Sequence, residues 1–507
     1  MNAHRLFSNI CVSACLVVLA GIVFLLGLLG APASVTQAGL ASGECDQVPM
    51  RPADVIRVCT SGCDYDTIQG AVDAANDGDI IKVAAGTYAG VSVRSGTAQV
   101  VYISKTITIQ GGYTLTDGTT AYPITQPTTL DAQGGGRVIY ITGNISPTLS
   151  GLRITGGNAD AGGGVYVLTS TVTLSNNTIF SNTAATGGGL YLYSSHPILT
   201  GNIISANIAN LYDGGGLYME NSTADFSGNT IFANVANFGH GGGLYSSASS
   251  VSFGGNTLSG NTAWYSGGGI YLLGGDATVS GNDLITNTAG GYGGGLYVDG
   301  SSIILSRTTV LSNTASDRGG GLYLYGSDAT LVNSVVADNE AGGSGSGLYV
   351  RSSSTRLVHT TLARNHGGAS SALYIAGEED SEYSPSTVAL TNVILVSHTV
   401  GITVSGGNTA TVNGVLWYAT PLTVSTASTA IAMVENEYFG DPAFAPDGFH
   451  LGPSSAAIDR GVNAGITNDF DGDPRPYRNG YDLGADEWML NRFIYLPVVL
   501  RQVSTRD

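Results

Sequence analysis

The chain repeats itself, and that limits its fold more than any other feature. GGGVY begins at Gly162, GGGLY at Gly187, Gly214, Gly241, Gly293 and Gly319, GGGIY at Gly267, and a worn GSGLY at Gly345. The tyrosines of these motifs, Tyr166, Tyr191, Tyr218, Tyr245, Tyr271, Tyr297, Tyr323 and Tyr349, lie 25 to 27 residues apart, with Tyr140 before them and Tyr374 after. A unit of this size cannot bury an apolar face alone and must stack on copies of itself.

Numbering each repeat from its tyrosine exposes fixed columns. One place before it stands an aliphatic residue, Val165, Leu190, Leu217, Leu244, Ile270, Leu296, Leu322 or Leu348. Eight places after it come Leu174, Leu199, Phe226, Phe253, Val279, Leu305, Leu331 and Leu357; thirteen after, Ile179, Ile204, Ile231, Leu258, Leu284, Val310, Val336 and Leu362. Sixteen after is always asparagine: Asn182, Asn207, Asn234, Asn261, Asn287, Asn313, Asn339 and Asn365. Every length change falls between that asparagine and the next tyrosine, so one corner tolerates insertion and the rest does not.

Short runs alternate apolar with polar, the period of a strand. About three short strands per repeat are predicted, with successive repeats pairing about 4.8 Å apart. The fold class is all-β: a single-stranded right-handed parallel β-helix. Glycine reaches positive φ and lets backbones approach closely, which suits a corner repeated in every coil. Leu190 and Leu192 then point inward and Tyr191 outward. The asparagines form a second corner, each amide bonding its counterpart one coil away.

The pattern GG-x-aliphatic followed by aliphatic-x-x-Asn resembles the repeats of bacterial polymorphic outer-membrane proteins and of the wider pectin-lyase-like β-helix proteins, from Tyr140 to Tyr374. It departs from the former at the C-terminus. Fewer than about 140 residues follow, without the ten-residue alternating strands of an outer-membrane barrel. Further on, Asp441-Pro-Ala-Phe, His450-Leu-Gly-Pro, Ala457 to Gly461, Asp471 to Arg475 and Asp482 to Glu487 resemble the choice-of-anchor region that ends many bacterial β-helix surface proteins. That resemblance implies a surface or secreted location and no reaction.

The organisation expected is therefore a signal peptide or membrane anchor (1–38), a cysteine-containing segment (39–63), a β-helix (64–430, with regular repeats over 138–375), the anchor-like region (431–490) and a tail (491–507). The leader is read from Arg5, the apolar run from about Ile10 to Gly30 and the small residues that follow. A run of that length can also span a bilayer. Between Asp64 and Gly78 an amphipathic helix is expected, with Ile68, Ala71, Val72 and Ala75 on one face, Asp66 or Thr67 at its start, and the open end of the β-helix beneath it. Ile80 onward reads as the first strand. In an oxidising compartment Cys59 and Cys63 can close a loop, leaving Cys45.

The 507 residues carry 19 Lys and Arg against 37 Asp and Glu, a formal charge of −18. That balance argues against nucleic acid as a partner, and against membrane contact other than through the N-terminal segment. Catalytic signatures are thin. Gly239-His-Gly241 resembles one polygalacturonase motif, without the family's paired aspartates or its Arg-x-Lys. Asp213, His240 and Ser266 share one column in three consecutive coils, the residue types of a nucleophilic relay; Thr186, Tyr292 and Arg318 stand in the same column and favour a variable polar turn.

The same corner is aromatic. Tyr212, Phe238, Trp264, Tyr265 and Tyr292, beside Asp213, His240 and Arg318, form a candidate carbohydrate-binding set. The alternative is packing over the glycines. The long tyrosine column is expected to stack on itself. Asp338 and Arg364 occupy one position in adjacent coils and should pair. Asp469, Asp471 and Asp473 resemble half of a calcium loop, or equally an Asp-rich turn. No other cofactor is expected. The reading that results is an exported, monomeric β-helix protein that binds a polysaccharide or an extracellular-matrix or cell-surface glycan as a non-catalytic adhesin or scaffold. A polysaccharide lyase or glycoside hydrolase is the alternative, and a structural envelope rod the third.

Overall fold

The computed structural model describes residues 53–114, 119–368, 371–377 and 384–490. The expected leader, Cys45 and the tail after residue 490 lie outside the described residues. The chain forms an all-β, right-handed parallel solenoid of about 14 turns. The coil that starts at Leu190 shows the plan, with strands Leu190–Tyr193, Ile198–Thr200, Ile203–Ser205 and Ile208–Ala209. Each pairs in register with the next coil: Leu190 with Leu217, Leu199 with Phe226, Ile204 with Ile231, Ala209 with Ala236.

There are thus four strands per coil in this region where three were expected. The fourth buries a single small residue, in the column Ala184, Ala209, Ala236, Ala263, Ala289, Ala315 and Ala341. A two-residue strand shows no alternation, and alanine is apolar too weakly to mark it. The expected inward columns are all buried, and Phe226 stacks on Phe253 at 4.6 Å inside the core.

The three glycines of each corner do different things. Only the first lies in the left-handed region, as Gly187 does at φ 61°. A Cβ on Gly188 would stand 2.5 Å from the Ile208 carbonyl and 2.6 Å from that of Gly215. On Gly189 it would stand 2.5 Å from the Gly216 carbonyl and 2.9 Å from Asn207 Nδ2. The second and third are glycine because the neighbouring coil leaves no room for a side chain.

The eight amides from Asn182 to Asn365 stand in one buried file. Each Nδ2 but the last donates to the next Oδ1 at 2.9 to 3.0 Å. Each also donates to a core carbonyl of the coil below, as Asn234 does to Ile204 at 2.9 Å. The residue ahead of the asparagine takes a left-handed φ, for example Ser181 and Thr286 at 53° and 54°. A second file, not read from the sequence, joins Asn177, Asn202, Asn229, Asn256 and Asn282 at 2.9 to 3.1 Å. A third, of serines, includes Ser195, whose N–H donates to Ser222 Oγ at 3.0 Å. These files satisfy the corner amides that would otherwise be buried without partners.

At the N-terminal end Val55–Val58 pairs with Ile80–Ala84, so the ladder begins ahead of the helix. The helix is shorter than the expected stretch, Ile68–Ala74. Thr67 caps it by accepting from the Gly70 N–H, and Lys105 Nζ donates to the carbonyls of Val72, Asp73 and Ala75 at its other end. Ile68, Ala71 and Val72 enter the core and close it. Cys59 and Cys63 form a disulfide.

At the other end, after Ile431–Phe439, residues 440–490 contain isolated bridges but no strand or helix. They fold back along the solenoid's flank. Leu451, Ala457, Leu483 and Ala485 pack on Val335, Ala337, Ile394 and Leu416. In lower coils the equivalent outward positions are exposed, such as Ile203 and Phe232.

Candidate functional site

The corner that accommodates insertions carries the exposed rings. From Asn207 to Tyr218 and from Asn234 to Tyr245 the step is 11 positions, against 9 from Asn182 to Tyr191. The longer turns leave Leu211, Tyr212, Phe238, Trp264 and Tyr265 between 50% and 60% exposed. They come from three consecutive coils and form one apolar ridge, with Phe238 and Trp264 centroids 6.0 Å apart. A contiguous exposed apolar ridge of this kind is a candidate contact surface.

Behind the ridge lie half-buried polar groups. Asp213 Oδ1 accepts the backbone N–H of His240 at 2.7 Å. The His240 imidazole packs against Tyr265 and Tyr271, at 5.3 and 4.6 Å, and its Nδ1 is buried without a hydrogen bond. Burial raises the Asp213 carboxyl and lowers His240. Ser266 is buried. The Asp213–His240–Ser266 relay is therefore corrected. Asp213 holds the backbone of His240 and not its ring, which a relay requires.

Tyr292 and Arg318 belong to another environment. Tyr292 packs on Tyr323 and Tyr297 at 5.1 and 6.4 Å. Arg318 lies over the Tyr349 ring at 5.4 Å and pairs with Asp317 at 3.5 Å. Both serve the tyrosine column, which runs from Tyr102, one ring earlier than expected, to Tyr374. Its centroids are 4.7 to 5.5 Å apart. Each inner ring covers the faces of its neighbours, so only edges remain for solvent. Glu220 and Asp299, two places beyond their tyrosines, were missed in the sequence. Glu220 accepts from the hydroxyl of its own Tyr218 at 3.3 Å, and Asp299, beyond Tyr297, accepts from Tyr271 of the preceding coil at 3.5 Å.

The aspartates of the suggested calcium loop do not converge. Asp469 is buried, and its oxygens accept the N–H groups of Asp471, Asp473 and Glu487 at 2.9, 2.8 and 3.0 Å. It organises a turn. Asp338 and Arg364 do pair, through two bonds of 2.7 Å, and Arg364 Nη1 also holds the Gly448 carbonyl at 3.0 Å.

A parallel solenoid of stacked coils with buried amide files defines a class, and comparison with known proteins agrees. The model of the family described as right handed beta helix region matches residues 88–283 and 243–415, together more than half of the chain. The chain belongs to that family. No curated protein matches it. Among solved structures it is similar to the periplasmic alginate epimerase AlgG, with 12% identity over 71% of this chain and 85% of that one, and a TM-score of 0.43. It is also similar to pectate lyase Pel9A, with 13% identity over 86% and 97%, and a TM-score of 0.34. The catalytic unit of a GH87 alpha-1,3-glucanase from Streptomyces thermodiastaticus strain HF3-3 gives 15% identity over 75% and 67%, with a TM-score of 0.37. At these identities and scores no residue or reaction of theirs is carried to this chain.

Proposed function

We propose that the protein is an exported, non-catalytic carbohydrate-binding scaffold that holds a polysaccharide along the ridge of Tyr212, Phe238, Trp264 and Tyr265. The observation that carries this reading is the exposure of these rings on successive coils. Aromatic faces stack on the apolar faces of sugar rings, and a coil-to-coil repeat offers a linear ligand a linear track. Asp213 and His240 behind the ridge supply polar groups for hydroxyls. Export is supported by the leader-like N-terminus and by the Cys59–Cys63 disulfide. Among the described residues no helix is long and apolar enough to cross a membrane. The anchor-like region would place the scaffold at a cell surface.

A glycan array probed with the full chain and with Trp264→Ala tests this, alongside an assay for released sugar products. We expect binding at least about tenfold weaker in the variant, or about 1.4 kcal/mol, with no product from either protein. Product release that disappears in His240→Ala would replace the proposal with a lyase or hydrolase. Silence in both assays would leave the rod.

A further inference from the structure

The structure assigns a second site, in the segment that folds back on the solenoid: a divalent transition-metal site made by His450 Nε2, Asp471 and Asp486. Three separate turns deliver these residues. Among the described residues they are the group of histidine, cysteine and carboxylate side chains that can offer one ligand atom each with all the atoms within 4.8 Å of one another. His450 Nε2 stands 2.7 Å from Asp471 Oδ2. Asp486 is almost wholly buried, and one of its oxygens accepts the Leu451 N–H at 2.7 Å.

Two further features distinguish this group from an ordinary acidic turn. The first is the orientation of the imidazole. Asp447 Oδ2 faces His450 Nδ1 at 2.5 Å, while its other oxygen accepts the N–H groups of Phe449 and His450 at 3.1 Å. A carboxylate on one ring nitrogen fixes the tautomer and presents the lone pair of the other to a metal. In the metal-free protein that nitrogen shares a proton with Asp471 Oδ2, and a bound metal takes the proton's place between them. The second is access. The group opens on a cleft of about 800 Å³ lined by Phe444, Pro446, Pro453 and Trp488 as well as His450 and the two aspartates. An ion there keeps coordination positions for water or a ligand.

The donor set selects the metal. One imidazole with two carboxylates suits zinc or manganese, whereas calcium prefers an all-oxygen shell. The ion would also join three turns that lack strands of their own, so binding would stabilise the segment.

Titration of the chelator-treated full chain with Zn²⁺, Mn²⁺ and Ca²⁺, followed by calorimetry and by the melting temperature, tests the site. We expect one equivalent of zinc or manganese to bind and to raise the melting temperature. Affinity should fall at least tenfold in His450→Gln and in Asp471→Asn. Asp471 is more exposed than His450, so the second variant guards against misfolding in the first. Replacement by Co²⁺ should give a visible absorption band that His450→Gln alters. Absence of saturable binding, or binding unchanged in both variants, would overturn the assignment. So would a preference for calcium that survives His450→Gln.

Discussion

Asn234 illustrates how much one residue holds. Its side chain accepts from Asn207 N and Nδ2 and donates to Ile204 O and Asn261 Oδ1, all at 2.9 to 3.0 Å and out of water. Asn234→Ala leaves these partners buried and unmatched, at about 1–3 kcal/mol for each orphaned group. We expect a loss of at least about 3 kcal/mol by thermal or denaturant unfolding. The glycines separate by the same logic. A Cβ on Gly242 would meet the Gly268 and Thr262 carbonyls at 2.5 Å, whereas Gly255, at φ 63°, has open space around it. Gly242→Ala should abolish stacking. Gly255→Asn should cost no more than about 1 kcal/mol, since asparagine tolerates the left-handed region. Asn176 and Asn333 already hold the equivalent corner in other coils.

The buried file ends on His398, whose Nε2 meets Asn365 N and Nδ2 at 3.3 Å. Burial, with Arg364 adding to it, lowers His398 to about 3. The ordinary value is about 6.5, so below that pH the unfolded chain takes up a proton that the folded chain refuses. Its stability contribution is complete above about 6.5 and is lost as pH falls toward 3, by up to about 1.4 kcal/mol per pH unit. His398→Asn continues the ladder without a titrating group. Melting temperatures measured from pH 7 to pH 4 should fall less steeply in that variant.

At the scale of the element, the tyrosine column and the aromatic ridge look alike in sequence and differ in what covers them. Tyr323 is sandwiched by Tyr297 and Tyr349, both at 4.9 Å, and is 3% exposed. Tyr323→Leu removes two ring contacts, each worth about 0.5–1.5 kcal/mol. It should lower the melting temperature while leaving ligand affinity unchanged. Trp264→Ala should do the reverse, because a ring 58% exposed contributes little to folding. If both variants lost stability and neither lost binding, the ridge would be packing like the column.

At the scale of the molecule, a buried polar clasp organises the segment after residue 439 and ties it to the solenoid through His359. Arg475 Nη1 reaches His359 Nδ1, the Asp482 carbonyl and Glu487 at 2.9, 3.2 and 3.1 Å, and Nη2 reaches the Gly484 and Ala485 carbonyls. The Arg475 and Glu487 side chains are 0% and 1% exposed. Removing one partner of such a pair strands the other charge out of water, at about 3–5 kcal/mol. Arg475→Ala should therefore release 440–490 to limited proteolysis and leave 55–439 resistant, since the amide files do not depend on the clasp.

What the sequence determined alone is whatever recurs at a fixed interval. The repeat places Leu190, Leu192, Leu199 and Ile204 inside and Tyr191 outside, and it aligns the eight asparagines, because a stacked coil turns periodicity directly into vertical files. Weak or broken columns were harder to read. The alanines are too mildly apolar, and the second amide file gives way to Thr308, Ser334 and Thr360, which hold the same corner with hydroxyls. Contacts across long separations were not legible at all. Only the tertiary structure turned the Asp213 carboxylate to the backbone of His240, engaged Asp469 in its own turn, and brought His450, Asp471 and Asp486 together. Those outcomes depend on side-chain direction and on loops without a period, and neither repeats along the chain.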